Sequence, residues 1–261
     1  MKLLTLNCHS WIEENQLEKL DIIAKDIIEK GYDVVSLQEV NQLIESKVAM
    51  DIVKEDNFAL LLMNKINQTS KEKYSMYYEK SHIGYDKYEE GVALLTKHKV
   101  KDVKSYLISR ADDFSFWKTR RVLKASILIE GEVIDFYSCH LGWWDDEKEP
   151  FKEQFDRLYE TIDQNKLTFL MGDFNNNAFI RNQGYDYIIQ RGLYDTYSLA
   201  EVKDDGVTVK GKIAGWDENR NDLRLDLILV NRKIPVKSSS VIFNGINKEV
   251  VSDHFGVCVE I

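Results

Sequence analysis

The order of its apolar runs predicts a mixed α/β fold in which sheets form the core and helices cover them, in one domain spanning 1–261. Three observations carry this reading. Short apolar runs that read as strands alternate with longer stripes whose apolar residues recur every three or four positions. No stretch rich in Pro, Gly or Ser divides the chain. A chain of 261 residues can bury about 70–75% of its unfolded surface without a disulfide or metal to hold it.

Taken in order, Lys2–Cys8 reads as the first strand. Asn15 caps the helix that follows, with Glu18 completing a capping box, and Leu17, Leu20, Ile23, Ala24 and Ile27 form its apolar stripe. Gly31 stands where a helix ends on glycine. Asp33–Leu37 is a buried strand running into Gln38, Glu39 and Val40, and from Gln42 to Ile83 helix, loop and strand signals mix. Gly91–Thr96, Lys101–Ile108, Arg121–Ile129 and Val133–Ser138 make a strand-rich middle, with a turn at Glu130 and Gly131. Pro150 opens a helix whose apolar face is Phe151, Phe155, Leu158, Tyr159 and Ile162. Lys166–Met171 is a strand leading into Gly172, Asp173, Phe174 and Asn175, and Phe179–Arg191 reads as helix. Leu225–Val230, Ile234–Phe243 and Phe255–Ile261 are the last strands.

Composition narrows the function classes. Thirty-five basic residues against 44 acidic ones give a net charge of −9. That balance argues against gripping a polynucleotide through a general positive field, because such affinity grows with the phosphates neutralised by Lys and Arg. Cys8, Cys139 and Cys258 are too few and too far apart for a zinc knuckle or a disulfide framework, and read as buried thiols. The first residues reach Asn7 and His9 too soon for the apolar core of a signal peptide, and no run of 18 apolar residues exists. A cytoplasmic setting is the expectation.

Polar residues recur at the downstream ends of the apolar runs, and this pattern carries the chemistry. Asn7 and His9 follow the first strand, Glu39 the second, His140 the run Phe136–Cys139, and Asp173 and Asn175 the run Leu167–Met171. Asp226 interrupts a run of Leu and Ile, and Asp253 and His254 precede the last strand. Strands ending this way place their polar groups on one rim of a rigid scaffold. The carboxylates Glu39, Asp173, Asp226 and Asp253 and the amides Asn7 and Asn175 are hard oxygen donors, suited to Mg²⁺ or Mn²⁺ and not to zinc. A hard cation beside imidazoles suits phosphate-ester hydrolysis, in which positive groups neutralise the phosphoryl oxygens and a carboxylate deprotonates water.

The set Leu6-Asn7, Gln38-Glu39-Val40, Glu90-Gly91-Val92-Ala93, Ser138-Cys139-His140-Leu141, Gly172-Asp173-Phe174-Asn175, Leu225-Asp226 and Ser252-Asp253-His254 resembles the endonuclease/exonuclease/phosphatase superfamily, in order and over nearly the whole chain. The resemblance implies a four-layer α/β/β/α sandwich of two packed mixed sheets. It implies Glu39 as principal Mg²⁺ ligand, with Asn7 beside it and Asp253 as a further carboxylate of the metal site. Asp173 would activate the attacking water, and Asn175 would hold that water or a phosphoryl oxygen. His254 would contact the phosphate with Asp226 on its other nitrogen. His140 matches the second phosphate-binding histidine of the DNase-like and sphingomyelinase-like members.

Other assignments rest on less. Glu90 has two readings, a second acidic residue like that of DNase-like members or a solvated charge. Arg121 or Arg120 would contact phosphate, with strand parity favouring Arg121. His9 lies near enough to reach the site, while His82 and His98 give no signal. The aromatic groups Phe114–Trp117, Trp143 with Trp144, and Tyr74, Tyr77 and Tyr78 either wall a ligand or pack over the sheet ends; Trp143 and Trp144 are the most suggestive. The acidic run Asp145, Asp146, Glu147 and Glu149 would repel a long polyanion. The preferred reading is a Mg²⁺-dependent phosphoesterase acting on a small or lipid-derived phosphodiester. A DNA or RNA nuclease is the competing enzyme, and a catalytically silent binding protein the reading from another class.

Overall fold

The computed structural model describes residues 1–261. Strand β1 (Lys2–Asn7), helix α1 (Gln16–Lys30) and strand β2 (Val34–Leu43) form a parallel βαβ unit. A small hairpin, β3 (Val48–Met50) and β4 (Val53–Lys54), leads into α2 (Phe58–Thr69). The antiparallel pair β5 (Ser75–Gly84) and β6 (Tyr88–Thr96) follows, and then the meander β7 (Lys99–Leu107), β8 (Arg121–Ile129) and β9 (Glu132–His140). Helix α3 (Phe151–Glu160) crosses to β10 (Thr168–Asp173), parallel to β9, as a second βαβ unit. The chain continues through α4 (Gly184–Gln190), β11 (Tyr194–Asp195), α5 (Thr196–Leu199) and β12 (Ala200–Lys203). Strands β13 (Asp226–Val230), β14 (Val236–Ile242) and β15 (Gly256–Glu260) finish it.

These strands make two large mixed sheets, one ordered β12-β14-β15-β1-β2-β6-β5 and the other β11-β13-β10-β9-β8-β7. Three apolar layers hold them. Between the sheets Leu3, Val34 and Leu94 meet Leu123, Phe136, Phe169 and Met171. On one outer face Leu4, Leu6 and Leu37 pack under Leu20, Ile23 and Ile27 of α1 and Phe58 and Leu62 of α2. On the other, Val122, Tyr137 and Cys139 pack under Phe151, Phe155 and Leu158 of α3 and Ile188 of α4. Because β1, β8 and β9 are covered on both faces, residues of both parities are buried, and the architecture is the four-layer α/β/β/α sandwich.

Local expectations fail where a side chain finds another use. Asn15 takes a left-handed conformation with φ 53° and makes no side-chain cap, so the capping box with Glu18 does not form. Its carbonyl accepts from the amides of Glu18 and Lys19 instead. Leu17 is 66% exposed and lies off the buried stripe. Only 184–190 of the stretch 179–191 is helical. Gly31 does end α1 with φ 62°, its amide bonded to the carbonyl of Ile27. The mixed signals of 42–83 resolve into the β3–β4 hairpin, α2 and β5. All three cysteines are free thiols, Cys258 less deeply buried than the others.

Candidate active site

The layer between the sheets changes character along its length. Successive residues of one parity run Leu3, Thr5, Asn7 on β1, Val34, Ser36, Gln38 on β2, Phe136, Ser138, His140 on β9 and Phe169, Met171, Asp173 on β10. Apolar packing at one end gives way to a polar stitch. Ser36 Oγ donates to Ser138 Oγ at 2.9 Å, and Gln38 Nε2 donates to both hydroxyl oxygens at 2.8 and 3.1 Å. Beyond the stitch lie the titratable groups, at the carboxyl ends of parallel strands, where open α/β sheets place their sites. Asn7 pairs with Gln38, His140 with Asp173, and Asp226 at the start of antiparallel β13 with Asp173.

Glu39 is aimed by a β-bulge. The register of β2 against β6 shifts between Leu37 and Val40, and Glu39 within the shift has φ 49°. Its Oε1 accepts from Asn7 Nδ2 at 2.8 Å, and the same amide donates to Asp173 Oδ2 at 3.2 Å. The oxygen of Asn7 accepts from the backbone amide of His9 at 3.1 Å. Asn7 thus presents nitrogen, not oxygen, to Glu39. In this arrangement it joins two carboxylates from opposite sheets, while its oxygen accepts from the left-handed turn at His9, φ 41°.

Asp173 is the centre of the network and is 1% exposed. Its Oδ1 accepts from the backbone amide of Asn175 at 2.8 Å. Asn175 has φ 48°; its Nδ2 donates to the carbonyl of Leu141 at 2.9 Å and its oxygen accepts from Trp216 Nε1 at 3.2 Å. His254 Nε2 lies 3.8 Å and His140 Nε2 3.7 Å from Asp173 Oδ2. The other nitrogen of His254 meets Asp226 Oδ2 at 2.9 Å.

The electrostatics separate the two histidines. Burial disfavours the charge on both. At His254 the carboxylates of Asp226 and Asp173 outweigh it and hold the imidazolium well above the usual histidine range. At His140 the cations Arg120, His82 and His254 add to burial and push it well below that range, leaving a neutral ring. Burial raises Asp173 to about 7, with His254 opposing and Asp226 adding to the rise. Burial and the like charges of Glu90 and Asp253 raise Glu39 to about 8. A carboxyl group poised near neutrality beside a protonated imidazole is a base and acid arrangement.

Crowded carboxylates of this kind fit a hard divalent cation. Glu39, its side chain 19% exposed, lines the cavity with Asp173 behind it, and Asp253, 22% exposed, is near enough for its charge to act on Glu39. His9 lies 3.7 Å from Asp253 Oδ1, but its Nδ1 is bonded to Glu13 at 2.8 Å and its Nε2 to the Tyr85 hydroxyl at 3.3 Å. His9 therefore borders the site as an ion-pair partner.

A cavity of about 310 Å³ opens over this network. Glu39, His140, Asp173, Asn175 and His254 line its base, and Trp117, Trp143, Tyr85 and Gly215 are among its walls. Glu90, 6% exposed, is no solvated charge: it meets His82 Nε2 at 3.2 Å, and both line the cavity. Arginine parity misleads. Arg120 lines the cavity, its Nη1 donating to the carbonyl of Trp117 at 2.8 Å, whereas Arg121 turns out to Asp112 at 2.6 Å. Arg121 is still paired with Leu107 of β7, but the β8–β9 ladder has ended at Leu123–Ser138 and its guanidinium is taken by Asp112. Trp144 is likewise outside, packed on Phe151 and Tyr187. Tyr74 and Tyr78 spend their hydroxyls on the carbonyls of Tyr32 and Glu89. The acidic run is not a free repulsive patch either. Asp146 is paired with Lys118, and Glu149 accepts the amides of Arg110 and Ala111.

Sequence reasoning missed His82, Tyr85, Gly215 and Trp216, and named Trp117 only within an aromatic group. None follows an apolar run, and each comes from a loop or a strand of irregular pairing: β5 shifts register between Lys80 and His82.

The model of the Endonuclease/Exonuclease/phosphatase family matches residues 5–254. Among solved structures, an endonuclease/exonuclease/phosphatase family protein from Leptotrichia buccalis C-1013-b is 43% identical, with TM-score 0.94, and the match covers 100% of this chain and 99% of that one. A mannosyl-6-phosphatase from Bacteroides thetaiotaomicron VPI-5482 is 16% identical, with TM-score 0.74 and coverage of 100% and 98%. D. rerio TDP2 complexed with single-strand DNA product is 12% identical, with TM-score 0.67 and coverage of 99% and 97%. A comparison with curated proteins gives no match. A family match from the first strand to the last titratable pair, and a 43% identical relative along the whole chain, place this protein in the endonuclease/exonuclease/phosphatase family.

Proposed function

We propose that the protein is a metal-dependent phosphoesterase that cleaves a small phosphodiester by attack of water at phosphorus. The observation that carries this is one connected chain of groups: Asp226 to His254 at 2.9 Å, His254 to Asp173 at 3.8 Å, Asp173 to Asn7 at 3.2 Å and Asn7 to Glu39 at 2.8 Å. It couples a protonated imidazole, a carboxylate base and a cation-binding carboxylate across the two sheets. Bound at Glu39 and Asp253, Mg²⁺ or Mn²⁺ would supply positive charge to the phosphoryl oxygens.

The residues themselves divide the work. Asp173, held by the amide of Asn175 and by Asn7, takes a proton from water as the water oxygen forms its bond to phosphorus. Imidazolium His254 offsets the charge that builds on the phosphoryl group, and Asp226 keeps it charged and oriented. The ester P–O bond breaks, the departing oxygen takes a proton from solvent water and leaves as an alcohol, and Asp173 returns its proton to solvent. Neutral His140 donates or accepts a single hydrogen bond at the same phosphate.

The test is hydrolysis of bis-p-nitrophenyl phosphate, which is expected to require Mg²⁺ or Mn²⁺ and to stop with EDTA. Turnover that survives chelation would overturn the mechanism. Plasmid and single-stranded RNA belong in the same panel, and efficient nicking at physiological salt would move the substrate from a small ester to a nucleic acid. The small cavity and the net charge of −9 favour the small ester.

A further inference from the structure

We infer that the cavity seats one sugar-like ring beside the phosphate, so that the alcohol half of the ester is a single cyclic polyol. The inference rests on the phosphoesterase reading and adds the substrate class.

Size gives the first argument. About 310 Å³ lies at the lower end of small-molecule sites, roughly 300–1,000 Å³, so the cavity holds one ring with its phosphate and little more. Shape gives the second. Trp117 and Trp143, both lining the cavity, stand with centroids 5.9 Å apart and planes at 65°. Stacking platforms for planar bases work face to face. Two indoles at 65° instead form a corner, which suits a thick, puckered ring that sets C–H groups on an aromatic face and turns hydroxyls outward.

The polar side of the cavity supplies partners for those hydroxyls. His82 is fixed between Glu90, at 3.2 Å from its Nε2, and the carbonyl of Thr119, at 3.1 Å from its Nδ1. Arg120 is 3% exposed, and its Nη1 is bonded to the Trp117 and Thr119 carbonyls, while its Nη2 has no hydrogen bond within the protein. A buried guanidinium with a free edge on the cavity suits the anionic oxygens of an ester, and Glu90 suits a hydroxyl donor.

The corner is also braced. An ion pair between Lys118 and Asp146 ties the two loops that carry the tryptophans. Gly215 presses on the indole of Trp143: a Cβ there would lie 2.4 Å from Cζ2, and φ of +79° favours glycine in any case. A wall held this rigidly orders little more when ligand enters.

The experiment compares wild type, Trp143→Ala and Trp143→Phe in Mn²⁺ on the p-nitrophenyl diesters of hexose 6-phosphate and glycerol 3-phosphate and on a thymidine dinucleotide. Quenching of intrinsic tryptophan fluorescence by hexose 6-phosphate and by inorganic phosphate is titrated in parallel. Wild type should prefer the hexose ester, in kcat/KM, by tenfold or more. Trp143→Ala should lose about tenfold more on the hexose ester than on the glycerol ester, chiefly through KM, and Trp143→Phe should restore most of the difference. Hexose phosphate should bind more tightly than phosphate in the titration. Preference for the dinucleotide, equal losses on the cyclic and acyclic esters, or equal binding of hexose phosphate and phosphate would overturn the inference. If bis-p-nitrophenyl phosphate is hydrolysed and the ring ignored, the inference fails alone. If the ring binds at Trp143 but no ester is cleaved, the catalytic reading fails and the ring site stands.

Discussion

Replacing Asp226 by Asn removes one charge and little else. Asp226 is fully buried, and its Oδ2 lies 2.9 Å from His254 Nδ1. Its second oxygen, Oδ1, has no hydrogen-bond partner in the protein. An Asn amide can turn its NH₂ towards that space and keep its oxygen on His254, so the hydrogen bond survives while the carboxylate charge goes. With charge centres about 4 Å apart and an effective dielectric near 20, the lost attraction is about 4 kcal/mol. Removal of a comparable stabiliser of developing charge lowers kcat by about 10²–10³. The sign follows from the raised pKa of His254. Activity that needs the imidazolium persists well above pH 6.5 in the wild type and is lost as pH rises through the raised value, so the variant should lose it at lower pH. Steady-state kinetics on bis-p-nitrophenyl phosphate from pH 5 to 10, with a thermal melt to confirm folding, measures both effects. The double variant Asp226→Asn/His254→Ala should be no slower than His254→Ala, because Asp226 works through His254. A single variant within threefold of wild type with its alkaline limb unmoved, or multiplicative losses in the double variant, would refute the reasoning.

Other expectations concern stability. Lys124 and Asp135 form a buried pair at 2.7 Å, 10% and 0% exposed, so Lys124→Met alone should cost about 3–5 kcal/mol in urea unfolding. Lys124→Met with Asp135→Leu should recover most of that loss, and a single variant as stable as wild type would show the pair is not desolvated. Gly172, at φ +151°, leaves no room: a Cβ would lie 1.9 Å from the carbonyl oxygen of Cys139. Gly172→Ala is expected to destabilise by more than about 3 kcal/mol, and a variant that melts like wild type would contradict it. Glu13, although burial opposes its charge, is held at about 2 by His9 and Lys19, and His9 is raised to about 9 against its own burial, by Glu13 and then Asp253. Glu13 therefore contributes above pH 4.5 and is lost as pH falls through 2; His9 contributes below pH 6.5 and is lost as pH rises through 9. With solvent screening, Glu13→Gln should cost about 1 kcal/mol near pH 6 and progressively less toward pH 2 and pH 10 in chemical denaturation; a pH-independent difference would rule the pair out.

Strand ends were legible because their signal is local. A run such as Phe136–Cys139 followed by His140 announces both a strand and the polar group at its end, and the same holds for Asp173 and Asp226. The family motifs extended that reading to Asn175, Asp253 and His254, which the structure gathers at the same rim. Parity was a weaker guide. It describes which side of the backbone a residue leaves, so it served for the buried Leu123 and Ala125 but not for Arg121, a long side chain at the strand's first residue that reaches out to Asp112. Propensity failed at Asn15 for a related reason: the chain needs a left-handed residue there more than a side-chain cap.

The amino-acid sequence determined which groups stand at the ends of strands, since hydrophobic alternation and its interruption are properties of neighbours in the chain. That suffices to single out Glu39, Asp173, Asp226 and His254 as candidates. Tertiary structure alone decided what surrounds them. Arg120, just ahead of β8 of one sheet, meets His82 of β5 and, through it, Glu90 of β6 in the other sheet, and Trp117, Trp143 and Gly215 come from three separate loops. Loops are placed by contacts between residues far apart in the chain, and no period in the sequence encodes those distances. The partners of Asn7 also come from the fold, which sets its amide between Glu39 and Asp173 on opposite sheets.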